Sequence, residues 1–534
     1  MQGTGAEHNL MQYNLLKQAS PLAHTGVHYE IFVRAFCDSN GDGIGDLNGV
    51  TSKLDYLQEL GISAIWLMPI NPSPSYHKYD VTDYYGIDPE YGTLDDFRRL
   101  VQEAHRRGIA VLMDLVLHHT SSRHPWFIEA CKGPENPYWS YYKWLHPDEI
   151  KARNLATRDI TADSSERNPW HRVAGASYPE RYYGMFWNQM PDLNFDHPAV
   201  RQEFFQIARF WLAEIGVDGF RLDAARHLYR EFEEPKNHQF WEEFRREVET
   251  VVRTGDHPGL RREGVHLVGE VWTRPAHVAP YFRGLHANFN FDFALSLAEV
   301  VQQEDDTEDL IELLAFIQSA YEQVEPNFID ALILSNHDQD RIGSVLKGHT
   351  DRLKVAANLL LTLPGNPYLY YGEEIGMLGQ KPDEHIREPF VWNVGKHDPD
   401  RARWNKTGSR SARYSTSRTV RPLAQQQTDP ESLFNHYKRL IGFRNSHPVL
   451  NDNLSRIELS GIRQAGLVAF VRRSQTGERV LLVHNLTGQP IRTVLPPEEV
   501  AFNQLTWHSH PATHYTDGGL TVGPYSVALL EANR

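Results

Sequence analysis

Short runs of apolar and β-branched residues recur along the first two thirds of the chain, separated by longer stretches with helical periodicity. Eight runs read as strands: VHYEIFV (27–33), SAIWLM (63–68), IAVLMDLV (109–116), VDGFRLD (217–223), HLVGEV (266–271), FNFDF (289–293), DALILS (330–335) and NPYLYY (366–371). Between them, residues 94–107 place Phe97, Leu100, Val101 and Ala104 on one helical face, with Thr93 and Asp96 as a capping box and Gly108 as the stop. Residues 199–215 repeat the pattern with Val200, Phe204, Ile207, Trp211 and Ile215 ahead of Gly216. Strands alternating with helices imply βαβ units and a parallel sheet, and eight of them predict a closed (β/α)₈ barrel rather than an open sheet.

Two regions break this rhythm. The long connection after the third strand is rich in Trp, Tyr, Pro, Asn and His, and a structureless loop of that length is improbable, so it predicts a small inserted domain over 120–195. After about residue 450, LVAFVRR, RVLLVHNL, GLTVGP and SVALLEA alternate around turns at Gln475-Thr476-Gly477 and Asp517-Gly518-Gly519. This predicts a C-terminal antiparallel β-sandwich domain over 451–534, leaving 1–119 and 196–450 for the barrel. The stretch 396–431 is polar and aperiodic, which predicts a long surface loop.

Composition adds little until charge is considered. The 54 Lys and Arg against 69 Asp and Glu give a net charge of -15, which disfavours nucleic acid as a partner and suits an enzyme with a neutral substrate. Cys37 and Cys131 are too few for a disulfide framework and are expected to be free thiols. No apolar stretch is long enough to span a membrane, and the first twenty residues lack a basic segment followed by an apolar run, so the expected location is cytoplasmic.

In such a barrel, chemistry gathers at the C-terminal ends of the strands. The third strand runs into Asp114 and His118-His119, the fourth ends in Arg221 and Asp223, the fifth in Glu270, and the seventh in Asn336-His337-Asp338. Glycosidic cleavage needs one carboxylic acid to protonate the leaving oxygen and a second carboxylate to attack or to activate water. Arg221 lies two residues before Asp223 and so points to the same side of the strand, where a fixed cation is expected to keep Asp223 ionised. Glu270, followed by Val271 and Trp272, is expected in a partly apolar setting of the kind an acid needs.

The segments DLVLHH (114–119), GFRLDAARH (219–227), GEVW (269–272) and SNHDQDR (335–341) resemble, in order and spacing, four motifs of the α-amylase family, glycoside hydrolase family 13. GISAIWLMP (61–69), MPDLN (190–194) and GNPYLYYGEEIGM (365–377) support the resemblance, which covers roughly residues 25–534. It implies Asp223 as nucleophile, Glu270 as acid/base and Asp338 as the carboxylate that holds the distorted sugar. It also implies that His119 and His337 bind the same sugar, that Arg221 orients Asp223, and that Tyr79 stacks on the ring. Arg226 and His227 stand where α-amylases hold the leaving sugar. The implied substrate is an α-glucan or malto-oligosaccharide cleaved at α-1,4 bonds with retention, with transglycosylation as a further activity.

Three further features bear on the assignment, and the first is a departure from the family's pattern. His118 stands where many family members have an Asn that binds calcium between barrel and inserted domain, which argues against calcium there. MPDLN resembles a subgroup intermediate between oligo-1,6-glucosidases and neopullulanases, although no separate N-terminal β domain precedes the barrel. Arg387 in IREPFVW (386–392) resembles an arginine that closes the pocket of α-glucosidases, so an α-glucosidase, glucosyltransferase or trehalose-forming isomerase is the competing reading. A non-catalytic binding protein of amylase-like form would have lost the catalytic carboxylates, and this chain retains them.

One further motif stands apart. DSNGDGIGD (38–46) offers oxygen ligands at Asp38, Asn40, Asp42, the Ile44 carbonyl and Asp46, with Gly43 at a sharp turn. This is the alternating pattern of an EF-hand loop, but Gly49 replaces the closing Glu. Similar loops in the resembled family bind calcium, and a structural calcium is the expectation here.

Overall fold

The computed structural model describes residues 25–158, 168–254, 264–306, 309–394, 398–404, 412–516 and 518–532. The N-terminal segment, Asp517 and parts of the 396–431 stretch lie outside them. Eight parallel strands close into a barrel. They are β1 (His28–Ile31), β2 (Ala64–Leu67), β3 (Ala110–Leu115), β4 (Gly219–Leu222), β5 (His266–Gly269), β6 (Ala287–Phe289), β7 (Ile329–Ile333) and β8 (Asn366–Tyr370). One expected strand is corrected. FNFDF alternates like a strand, but only Phe289 belongs to β6. The Asn290 side chain accepts from Phe293 N and caps a helix, Phe291–Gln303, because an Asn ahead of an apolar run satisfies the free N–H groups of a helix start.

The expected helices form with small changes. Leu94–Arg106 carries the full Thr93–Asp96 capping box, and Gly108 follows with φ 73°. Pro198–Arg209 runs on as a wider turn, Phe210–Ile215, which Gly216 ends in the left-handed region. Between β3 and β4, Arg181–Tyr183 pairs with both Trp144–Leu145 and Trp170–Arg172 in a small antiparallel sheet. Among the described residues of the 396–431 stretch there is one short helix, Leu423–Gln426. No helix among the described residues is long and apolar enough to cross a membrane, and both cysteines are free thiols.

Side chains alternate across a strand, so each barrel strand has an inner and an outer set. Ala64, Trp66, Ala110, Leu112, Val268, Phe289, Ala331, Ile333 and Tyr368 fill the interior. Ile65, Leu67, Val111, Met113, Leu115, Phe220, Leu222 and Leu267 face the surrounding helices. The same alternation turns Glu30, Asp114, Arg221 and the residue after β5, Glu270, inward.

The C-terminal region forms a five-stranded and a three-stranded antiparallel sheet. In Leu467–Arg473, Leu467, Ala469 and Val471 join the core between the two sheets, whereas Val468 and Phe470 pack into the main core. Arg472, fully buried, fastens this sheet to the barrel. Its guanidinium donates to the carbonyls of Thr362 (2.8 Å), Leu363 (2.8 Å), Leu450 (2.8 Å) and Asp452 (2.8 Å), and its Nε to Ser455 Oγ (2.7 Å). Arg444 beside it donates to the carbonyls of Leu361, Leu363 and Gly365.

Removing the Arg472 side chain would strand these buried acceptors, at a cost of at least about 3 kcal/mol. Arg472→Ala is expected to lower the denaturant midpoint accordingly. Arg472→Lys should recover only part, since an ammonium lacks the planar fork; equal midpoints for all three proteins would refute the role.

Candidate active site

Strand register assembles the site. Asp114 on β3 is the Cα partner of Arg221 on β4, and Leu222 is the partner of Gly269 on β5. The next residues on those two strands, Asp223 and Glu270, therefore emerge side by side at the C-terminal rim. Gly269, just before Glu270, leaves room for the side-chain ends of Leu285 and Asn288, which a Cβ there would have to displace.

Arg221, fully buried, is the hub. Its Nη1 donates to Asp223 Oδ1 (2.7 Å) and to Asp114 Oδ1 (3.0 Å), and its Nη2 to Glu270 Oε2 (2.7 Å). Trp66 and Tyr79 lie beside the guanidinium, with ring centroids 5.1 and 5.8 Å from Cζ. Asp114 also accepts from Trp66 Nε1 (3.2 Å) and Tyr79 OH (3.1 Å). Ala224 takes φ 47°, an uncommon value for a residue with a Cβ, and its N–H reaches Glu270 Oε2 at 3.0 Å. The partly apolar setting expected for Glu270 thus contains two donors on one carboxylate oxygen.

One cation serves three carboxylates, and this changes the expected electrostatics. Burial pushes the Asp223 carboxyl well above its ordinary value; Arg221 opposes, and Glu270 and Asp114 add to the rise. Asp114 is pushed up to about 6 by burial, against the pull of Arg221 and His337. The expectation that the Arg221 cation keeps Asp223 ionised is corrected: the guanidinium is in place, but it is shared with Asp114 and Glu270, and burial outweighs its pull.

The opposite wall carries matched charges. Asp338 Oδ2 lies 3.0 Å from His337 Nε2, and Asp338 Oδ1 accepts from Arg387 Nη2 at 2.9 Å. Burial would raise Asp338, but His337 and Arg387 hold it well below the usual carboxylate range. His337 Nδ1 lies 2.6 Å from Glu30 Oε1. Burial lowers His337, yet Asp338 and Glu30 more than offset this and push it up to about 10. Tyr79 OH is 2.7 Å from His337 Nε2, with the two rings stacked 5.6 Å apart. Arg387 also donates to Asp383 Oδ2 (3.0 Å) and the His337 carbonyl (2.9 Å), and reaches Tyr76 OH at 3.4 Å.

Above these groups opens a pocket of about 750 Å³. It brings together Asp223, Glu270, Asp338, Tyr79, His119, Arg226, His227 and Arg387. Arg221 and His337 act on it from below the lining. His119, whose Nε2 lies 3.2 Å from the Tyr79 carbonyl, is pushed down to about 3 by burial and by His118 beside it. Sequence reasoning missed His77, Phe186, Met190, Trp272, Lys381 and Asp383, which also line the pocket. Most sit on irregular segments with no periodic signal. Glu30 was also missed, although one charge inside the apolar run HYEIF was a legible sign of an inward-facing polar group.

His118 bears on the barrel–insert seam. Its Nε2 lies 3.0 Å from Asp192 Oδ2 with both side chains fully buried, and Asp192 Oδ1 accepts from Met185 N (3.1 Å). An imidazole–carboxylate pair occupies the place where the resemblance would put a calcium-binding Asn.

In the 38–46 loop, Asp38 accepts from the N–H groups of Asn40, Gly41 and Gly43, and Asp42 from Ile44 N. Asp46 accepts from Ser39 N and Gly49 N, capping the helix Leu47–Ser52. Among the described residues, no three His, Cys, Asp or Glu side chains converge as a metal-holding group. The donor set is all oxygen, with an amide and a main-chain carbonyl beside the carboxylates, which is the chemistry of a hard cation.

Comparison with known proteins bears on the whole chain. The family model for the alpha amylase catalytic domain matches residues 30–453, and that for the alpha-amylase SusG C-terminal domain matches 467–528. Alpha-amylase 3 of Dictyoglomus thermophilum is 41% identical over 96% of this chain and 94% of its own. Trehalose synthase/amylase TreS of Mycobacterium tuberculosis is 34% identical over 87% of this chain and 82% of its own. The crystal structure of alpha-amylase from H. orenii superposes with a TM-score of 0.82 and 39% identity, covering 96% of this chain and 100% of that one.

The charge on His337 has a consequence for stability. Its folded value, about 10, lies above the ordinary 6.5, so its contribution is fully present below pH 6.5 and is lost as pH rises through 10. Chemical denaturation between pH 6.5 and 10 should therefore give a shallower loss for His337→Gln than for the parent. Superimposable profiles would contradict a charged His337.

Proposed function

The chain belongs to the α-amylase family of glycosidases, and from that premise we propose that it is an endo-acting, retaining hydrolase of α-1,4-glucans and malto-oligosaccharides. The carrying observation is the bridging of Asp223 and Glu270 by the two terminal nitrogens of one guanidinium. Such bridging supports a carboxylate separation near the roughly 5–5.5 Å of a retaining pair.

The chemistry follows from the positions. Asp223 attacks the anomeric carbon as the bond to the leaving sugar breaks, while Glu270 gives its proton to the glycosidic oxygen. In the second step Glu270 takes a proton from water, whose oxygen displaces Asp223 from the sugar. Three carboxylates around one cation can hold a proton between them, and the cycle needs that proton on Glu270. Asp338, fixed as an anion by His337 and Arg387, accepts from the sugar hydroxyls and opposes the positive charge that develops on the ring. Arg226 and His227 line the side where the leaving sugar would lie.

The finer placement, in the subgroup intermediate between oligo-1,6-glucosidases and neopullulanases, is supported by MPDLN, whose Asp192 pairs with His118 at the barrel–insert seam. We extend the proposal to a structural calcium in the 38–46 loop, held by Asp38, Asn40, Asp42, the Ile44 carbonyl and Asp46; the all-oxygen donor set supports it. A second reading, an α-glucosidase, glucosyltransferase or trehalose-forming isomerase, is favoured by one observation. Arg387, tied to Asp338, Asp383 and Tyr76, forms a polar wall at one end of the pocket.

Reducing-end-labelled maltopentaose separates the readings. Early internal cuts yielding labelled maltose and maltotriose are expected, with a loss of at least about 10³-fold in Glu270→Gln. Glucose released singly from the non-reducing end, or products longer than the substrate, would favour the second reading. For the loop, EGTA is expected to lower the unfolding temperature and added calcium to restore it. Asp42→Ala should abolish that response, and an EGTA-insensitive parent would rule the calcium out.

A further inference from the structure

Two adjacent histidines at the barrel–insert seam set like atoms face to face. His118 Nδ1 lies 3.0 Å from His119 Nδ1, and a bond there needs one nitrogen with a proton and one without. Their other contacts decide which. His119 Nε2 lies 3.2 Å from the Tyr79 carbonyl, which only accepts, so a proton of His119 sits on Nε2. Burial and the neighbouring His118 keep the His119 ring neutral, and its Nδ1 is therefore bare. It follows that His118 Nδ1 donates. At the far edge of its ring, His118 Nε2 faces Asp192 Oδ2 at 3.0 Å, with both side chains fully buried. Burial would raise the Asp192 carboxyl, but His118 and Lys143 hold it below its ordinary value, as an anion. A bare Nε2 would set a lone pair against that anion, so this nitrogen carries a proton as well. Main-chain bonds from Leu193 N to the His118 carbonyl (3.0 Å) and from Thr120 N to the Pro191 carbonyl (3.2 Å) fix the two segments on either side.

We propose that His118 is a positioning residue, an imidazolium that locks His119 as a fixed Nε2–H donor to the sugar in the catalytic pocket. His119 lines that pocket and His118 does not, so His118 acts only through its neighbour. With a single proton, held on Nε2 by Asp192, His118 would take the proton of His119 into the Nδ1–Nδ1 contact. His119 would then turn a bare Nε2 toward the Tyr79 carbonyl and the sugar, an acceptor where the site presents a donor. Asp192, from the inserted segment, thus reaches the sugar through two rings. The inference rests on the glucan reading above.

Asp192→Asn separates positioning from a merely structural role. Asp192 Oδ1 accepts from Met185 N, and an amide oxygen keeps that bond, which turns the amide nitrogen toward His118 Nε2 as a donor. His118 then becomes neutral but keeps its proton on Nδ1, and His119 stays locked. The variant is expected to lose denaturant midpoint with the ion pair. Its kcat/KM on maltopentaose should stay within about threefold of the parent's, less than one hydrogen bond is worth. His118→Phe keeps a ring and removes both donors, and is expected to lower kcat/KM about tenfold, the order of one hydrogen bond to the sugar. Activity losses that track the losses in midpoint across both variants would overturn the proposal. Neutron diffraction from deuterium-exchanged crystals of the parent decides the matter if His118→Phe fails to fold. Deuterium on both His118 nitrogens and on His119 Nε2 is expected; a single deuterium on His118 would refute the imidazolium. A parent inert on maltopentaose that shows those deuterium positions would sink the catalytic reading and leave the proton assignment standing.

Discussion

Everything at the rim of the barrel is arranged around one buried guanidinium. Arg221 is almost wholly buried, and three carboxylates compensate it from three directions. Burying an unpaired charge is costly, so the fold must bring Asp114, Asp223 and Glu270 to it together. Parallel register does this without special devices: two neighbouring strands in phase deliver adjacent residues to the same height. The ring faces of Trp66 and Tyr79 complete the enclosure.

The two halves of the site then differ in charge balance, and that difference divides the labour. Around Arg221 negative groups are in excess, so a proton is readily kept and moved. Around Asp338, His337 and Arg387 supply matching cations, so that carboxylate stays an anion through the cycle. Two carboxyl environments a few residues apart in space thus suit proton transfer and charge stabilisation respectively.

Much of this was legible in the sequence, for physical reasons. Barrel strands are short apolar runs, and catalytic groups at their C-terminal ends interrupt the apolarity, so Asp223, Glu270 and Asp338 announce themselves. The family model and the relatives support the barrel and its family, while the roles of individual residues rest on geometry. The sequence could not reveal how charge is apportioned: Arg221 looked like the private partner of Asp223 because the two are neighbours in the chain, whereas Asp114 reaches it only through register. FNFDF misled because period-two aromatics occur equally at a helix start capped by Asn290. Lys381 and Asp383, which join Arg387 in the pocket wall, sit at the start of a single helical turn, Asp383–Ile386, too short for a periodic pattern to place them.

The central strands of the five-stranded C-terminal sheet are apolar on both faces, one set of side chains meeting its partner sheet and the other meeting the barrel's core, while its outer strands carry exposed residues. A chain ended near residue 450 would bare the apolar flank on which Phe470 and Leu482 now pack.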